Sequence, residues 1–136
     1  MSPEWKKGLE TGFDRIDDQH KLIFKKLNEF HRACHEGQGK ERVLELFEFI
    51  ERYVEKHFLL EETYMYGNEY PQIDAHKAEH EKLRNAYQAF KAAVAVSGVT
   101  PEAVKQADFF LSEWWREHIC NIDKAMVRYV KRESKK

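Results

Sequence analysis

The chain has 136 residues, one domain's length, with 23 Lys and Arg against 24 Asp and Glu and a net charge of −1. Its charges are interspersed rather than blocked, which excludes the basic footprint of a nucleic-acid binder. With 42% hydrophobic residues it can bury a core, yet it has no apolar run near the roughly 18 residues of a membrane span.

The N-terminal leader, residues 1–16, lacks the apolar run of a signal peptide, so the expected compartment is the cytoplasm, with no membrane or nucleic-acid partner. A helical pattern then runs from Asp17 to Glu36 and stops at Gly37-Gln38-Gly39, a glycine-rich turn. The next runs from Lys40 to Tyr66 and ends at Gly67, before Tyr70-Pro71. A third covers Asp74 to Val96 and stops at Ser97-Gly98. A fourth opens with Thr100 as N-cap and Pro101 at the first helical position, and continues to Ile119. A short helix from Ile122 to Lys131 and the charged tail RESKK close the chain. The predicted fold is all-α, an up-down-up-down antiparallel four-helix bundle with an N-terminal leader and a short C-terminal helix. It forms a single domain over 1–136: leader 1–16, bundle 17–119, C-terminal turn and helix 120–136. Cys34 and Cys120 form no metal or disulfide motif and read as two partly buried thiols.

Each long segment repeats apolar residues at spacings of three and four, and each stripe continues into titratable residues. The first carries His20, Phe24, Leu27 and His31. The second carries Val43, Phe47, Ile50 and Val54, then His57 and Glu61. The third runs His76, His80, Leu83, Tyr87, Phe90 and Val94. The fourth runs Val104, Ala107, Leu111 and Trp114, then His118. Burying such polar groups alone costs several kcal/mol, so the core must hold something that pairs with them.

His57 and Glu61 are four apart, as are His76 and His80, so each pair shares a helix face and reaches one centre. His20 and the His76–His80 pair start their helices, whereas His57, Glu61 and His118 end theirs. In an up-down-up-down bundle, those positions fall at one end. Asp123 follows His118 by five, about 140° away on a regular helix, so it joins them only if the fourth helix ends or bulges near Cys120 and Asn121. Imidazoles with carboxylates suit iron, manganese or zinc, and the lack of paired cysteines argues against a thiolate site. Seven ligands exceed one ion's needs. Two octahedral ions offer about twelve positions, of which five nitrogens, two bridging carboxylates and a bridging oxygen fill about eleven. One remains for a small ligand.

Trp5 with IDDQH (Ile16 to His20), HFLLEE (His57 to Glu62) followed by Met65, HKAEH (His76 to His80) and HICNID (His118 to Asp123) together resemble the hemerythrins, most closely the single-domain bacterial form. The resemblance covers essentially the whole chain. It implies two non-haem Fe ions, oxo- or hydroxo-bridged and carboxylate-bridged, that bind O2 reversibly for carriage, storage, delivery or scavenging. By that pattern His76, His80 and His118 hold one iron, His20 and His57 the other, and Glu61 and Asp123 bridge them. The expected partners are O2 and a protein recipient or donor of it, in a monomer or weak oligomer.

The expectation is a binding protein rather than an enzyme. The alternatives are a di-iron peroxidase, oxidase or NO-handling enzyme, a stand-alone O2 or iron sensor, and an iron store. Ferritin-like oxidases use Glu-x-x-His pairs, and this chain has none. His31 and His35 also form an i, i+4 pair, but topology puts them at the other end of the bundle, where they read as structural or surface residues. Glu62, about 100° from Glu61 on its helix, reads as solvated. The family more often has Trp followed by Leu where this chain has Trp114-Trp115, and one of these rings is expected to line the O2 pocket. Phe24, Phe58 and Tyr64 are candidates for the same wall.

Overall fold

The computed structural model describes Trp5, residues 7–37 and residues 40–134. Much of the early leader, Gln38 and Gly39 of the glycine-rich turn, and the last two residues of the RESKK tail lie outside the described residues. A 3-10 turn, Lys7–Leu9, precedes α1 (Asp14–His35), α2 (Lys40–Gly67), α3 (Ile73–Ser97) and α4 (Pro101–Glu117). A π-helical segment, His118–Asp123, leads directly into α5 (Lys124–Ser134). α1 packs on α2 and α4, and α3 on the same two helices, so consecutive helices are neighbours and the ring closes through α1 and α4. Short connections between neighbours make this the antiparallel bundle. No helix among the described residues is long and apolar enough to cross a membrane.

α1 begins at Asp14, ahead of the expected Asp17, because Asp17 turns back onto the leader instead of opening the helix. Its buried carboxylate accepts from the Thr11 backbone N–H (2.8 Å), the Thr11 hydroxyl (2.7 Å) and the Gly12 N–H (3.0 Å). The residue before α1, Phe13, offers no side-chain cap. Gly12 sits at φ +93°, where an added Cβ would meet Lys131 Nζ at 2.5 Å, and Lys131 donates to the Gly12 carbonyl at 2.7 Å. The leader is thereby fastened to α1 and to α5. At the opposite end of the bundle, Thr100 Oγ1 accepts from Ala103 N at 3.1 Å and Pro101 occupies the first turn of α4.

The apolar stripes of α1 to α3 form the core, with Phe24, Leu27, Ile50, Val54 and Leu83 all buried. On α4 the buried face is rotated from the expected one. Asp108, Leu111, Ser112 and Trp115 point inward, while Ala107 and Trp114 are half-buried. A stripe drawn from apolar residues alone discounts Asp108 and Ser112, and so slips toward their neighbours. α5 runs on to Ser134, past the expected Lys131, so part of the charged tail is helical. Its buried Met126 and Val127 pack with Ile16, Met65 and Tyr70 in a second, smaller cluster.

Candidate metal centre

The structure brings His20, His57, Glu61, His76, His80, His118 and Asp123 together, all of them buried. α1 supplies His20 from its second turn, α2 supplies His57 and Glu61, and α3 supplies the His76–His80 pair from its first two turns. The π segment supplies His118 and Asp123. In a π turn the backbone closes from i to i+5, so residues five apart stack where a regular helix would separate them.

Their donor atoms sort into two groups, Glu61 with His76, His80 and His118, and His20 with His57, Glu61 and Asp123. Within each group the donor atoms lie within 4.8 Å of one another. Asp123 spans both: Oδ2 lies 2.9 Å from His20 Nε2, while Oδ1 lies 3.0 Å from His76 Nε2 and 2.9 Å from His118 Nε2. Glu61 Oε1 lies 3.1 Å from His80 Nε2 and 3.4 Å from His57 Nε2, so it too faces both groups.

The His80–Glu61 contact is a hydrogen bond, but the approaches to Asp123 and that of His57 to Glu61 are close without being aligned as hydrogen bonds. Both ring nitrogens of His20, His76 and His118, Nε2 of His57, Oε2 of Glu61 and both oxygens of Asp123 are buried without a hydrogen-bond partner. So many unsatisfied buried polar atoms in one place is a cost no apolar core sustains without a further group. Donors about 2.1 Å from a cation and at right angles to each other sit roughly 3.0 Å apart. The carboxylate-to-ring distances cluster at that value, so the residues present fit a metal between them.

The protonation states agree. Burial, reinforced by the neighbouring His20 ring, holds the His57 pKa well below its ordinary value. Burial also lowers His80, with His118 and His76 beside it, and lowers His118 against the opposing pull of Asp123. Neutral imidazoles with free lone pairs are what a metal takes as ligands. Burial pushes Glu61 well above the carboxylate range, and Asp123 nearby adds to it. Burial alone would raise Asp123 too, but His118, His20 and His76 together bring it well below. A cation bridging both would favour the ionised form of each.

Sequence reasoning missed two outer partners. His57 Nδ1 lies 2.7 Å from Gln19 Oε1, and His80 Nδ1 lies 2.9 Å from Glu62 Oε2. Each leaves Nε2 facing the centre and fixes the tautomer that does so. Glu62 is therefore not the solvated residue that its angle from Glu61 suggests. Its side chain is 18% exposed, and Arg84 Nη2 approaches it at 3.8 Å. The signal available in sequence was adjacency, since each partner sits beside a ligand in the chain.

Aromatic rings close the site. Phe58 stacks on His80 with centroids 3.7 Å apart, and Trp114 stacks on His118 at 4.3 Å. Trp115, wholly buried, lies on the other side, 5.7 Å from His57 and 6.2 Å from His20, with Trp5 6.4 Å from His20. Phe24 packs on Trp5 at 6.0 Å, whereas Tyr64 packs on Phe13 in the smaller cluster. Cys120 is exposed, not partly buried, because the π segment that turns His118 and Asp123 inward leaves it on the outer face.

A helical bundle with this mixed imidazole and carboxylate centre matches the sequence model described as the hemerythrin HHE cation binding domain, over residues 11–130. The chain belongs to the hemerythrin family. It is 36% identical to a bacteriohemerythrin of Methylococcus capsulatus, over 86% of each chain, and 33% identical to one of Pseudomonas aeruginosa, over 93% of this chain and 80% of the relative. It is 29% identical to a hemerythrin from Sipunculus nudus, over 88% of this chain and 86% of that one. Membership of this family implies binding of non-haem iron.

Proposed function

We propose that the chain holds two irons at this centre and binds O2 reversibly, for carriage, storage, delivery or scavenging. The observation that carries the reading is the division of seven buried donors into a three-ring group and a two-ring group, with Glu61 and Asp123 facing both. His76, His80 and His118 would hold one ion, His20 and His57 the other, and the two carboxylates would span them. When bound, the metal pair supplies the electrons that O2 takes up and the position at which it binds.

The protein's residues do the rest. The two-ring group has one donor fewer, so a small ligand finds room on the side of His20 and His57. Trp115, Trp5 and Phe24 present apolar rings there and restrict water, and a dry wall disfavours release of a charged, partly reduced oxygen species. Gln19 and Glu62 hold the His57 and His80 rings in one orientation. Two carboxylates and a hydroxide offset most of the charge of two ferrous ions, so the bundle interior tolerates the assembly. The histidine-rich donor set favours binding over the oxidative turnover of carboxylate-rich sites.

Iron analysis of the purified protein and of ligand variants tests this. The wild type should carry about two irons per chain, and His57→Ala should lose iron from the two-ring side first. Iron well above two per chain, or a His57→Ala protein with unchanged iron, contradicts the reading.

A further inference from the structure

Away from the buried centre, α1 and α4 bring together His31, His35 and Asp108. The two rings sit on consecutive turns of α1 with centroids 4.3 Å apart. His31 Nδ1 lies 3.0 and 2.8 Å from the two Asp108 oxygens, and His35 Nε2 lies 3.4 Å from Oδ2. Asp108 is buried, and among the described residues its ion-pair partners are these two rings, with no Lys or Arg paired to it. A carboxylate buried in this way is stabilised by any further positive charge placed beside it. The cluster is also reachable: the His35 side chain is 59% exposed, and both His35 and Asp108 line a cavity of about 390 Å3.

We propose that His31, His35 and Asp108 form a second metal site that takes one Zn2+, with solvent as the fourth ligand. Two imidazoles and one carboxylate are a borderline donor set that suits zinc. Ligands about 2.05 Å from a tetrahedral ion stand roughly 3.3 Å apart, and the ring nitrogens here lie 2.8 to 3.4 Å from the carboxylate oxygens. His31 is eleven residues from His20 along α1, about 16 Å of helix, so the ion shares no ligand with the buried centre. It would clamp the end of α1 to α4, and with one position open to the cavity it would exchange with solvent, unlike an ion enclosed among buried ligands. A cation there compensates Asp108 independently of the charge on the rings. The i, i+4 pair of rings was visible in the sequence; the third donor was not, because Asp108 lies 77 residues from His31.

The test adds Zn2+ to protein carrying its resident metal, separates free from bound ions, and counts zinc and iron in the same fractions. One zinc per chain with iron unchanged is expected. His35→Ala removes a mostly exposed ring, so it leaves folding and iron content intact; it should weaken zinc binding by more than about a hundredfold, beyond the effect of losing an outer-sphere partner. Asp108→Asn should do the same. Co2+ in place of Zn2+ should give the visible absorption of a tetrahedral ion in the wild type and not in His35→Ala. Zinc binding unchanged in His35→Ala, zinc uptake matched by iron loss, or no bound zinc overturns the proposal.

Discussion

His118 Nε2 and Asp123 Oδ1 lie 2.9 Å apart across one π turn. Five residues on a regular helix would leave them about 140° apart, so the extra residue in that turn is what lets the last bundle helix deliver both a ring and a carboxylate that faces both donor groups. It also sets where the chain goes next. α5 follows the π segment and carries Lys131 to the Gly12 carbonyl, tying the far end of the chain to the leader that precedes His20. Local irregularity, ligand placement and leader docking are one connected device.

Glu62 acts on the centre through His80. In Glu62→Gln the side chain keeps its shape and still accepts from Nδ1, but the charge that makes the ring a stronger donor is gone. Metal affinity, measured by competition with a chelator, should fall by about 10- to 100-fold. Glu55→Gln is the control, since Glu55 is exposed and bonds Arg84 without touching a ring of the centre. Equal losses in the two variants would show that Arg84's network, and not the His80 contact, is what matters.

Trp115 fills the space beside His20 and His57. Trp115→Leu should destabilise the fold by about 2–3 kcal/mol through lost packing. It should also speed autoxidation of the O2-treated protein with iron content unchanged, because the freed volume admits water. Stopped-flow and slow-scan absorbance follow the decay; an unchanged decay rate removes Trp115 from the pocket's protective wall.

The metal-free chain should lose stability as the solution is acidified below about pH 6.5, the ordinary histidine value. His57, His80 and His118 have lowered values when folded, so in that range the unfolded chain takes up protons that the folded one does not. Stability thus rises with pH through this window. Glu61, raised by burial, works in the opposite sense above its ordinary value near 4.5. Three rings act in one sense and a single carboxylate in the other, so acidification to pH 5.5 should bring a net loss of stability. Thermal melts at pH 7.5 and 5.5, with and without metal, measure it. Equal melting temperatures for the metal-free chain would contradict the buried neutral rings.

Much of this was legible in the chain. Spacings of three and four gave the helices, and the replacement of Leu by His and Glu at the ends of the stripes marked which end of the bundle held polar groups. Thr100-Pro101 located the start of α4, because capping chemistry is local. The rest depended on partners distant in sequence. Asp17 reads as a helix start until Thr11 and Gly12 are seen donating to it. Asp108 and Ser112 interrupt an apolar pattern, yet they are buried because α4 turns them toward α1 and the core. Glu62 looked like a surface residue because helix angles describe one helix at a time, and the His80 ring that binds it comes from the next.

Reversible binding requires that O2 enter the buried centre and, on leaving, return the centre to its starting state. Absorption spectra and iron content of the anaerobically reduced protein, recorded before O2, after O2 and after its removal, test this most directly. Reversible binding predicts about two irons per chain and a charge-transfer band that appears with O2 and vanishes when it is withdrawn, over repeated cycles. Irreversible oxidation in the first cycle, sustained consumption of O2 or peroxide, or a metal other than iron would contradict it.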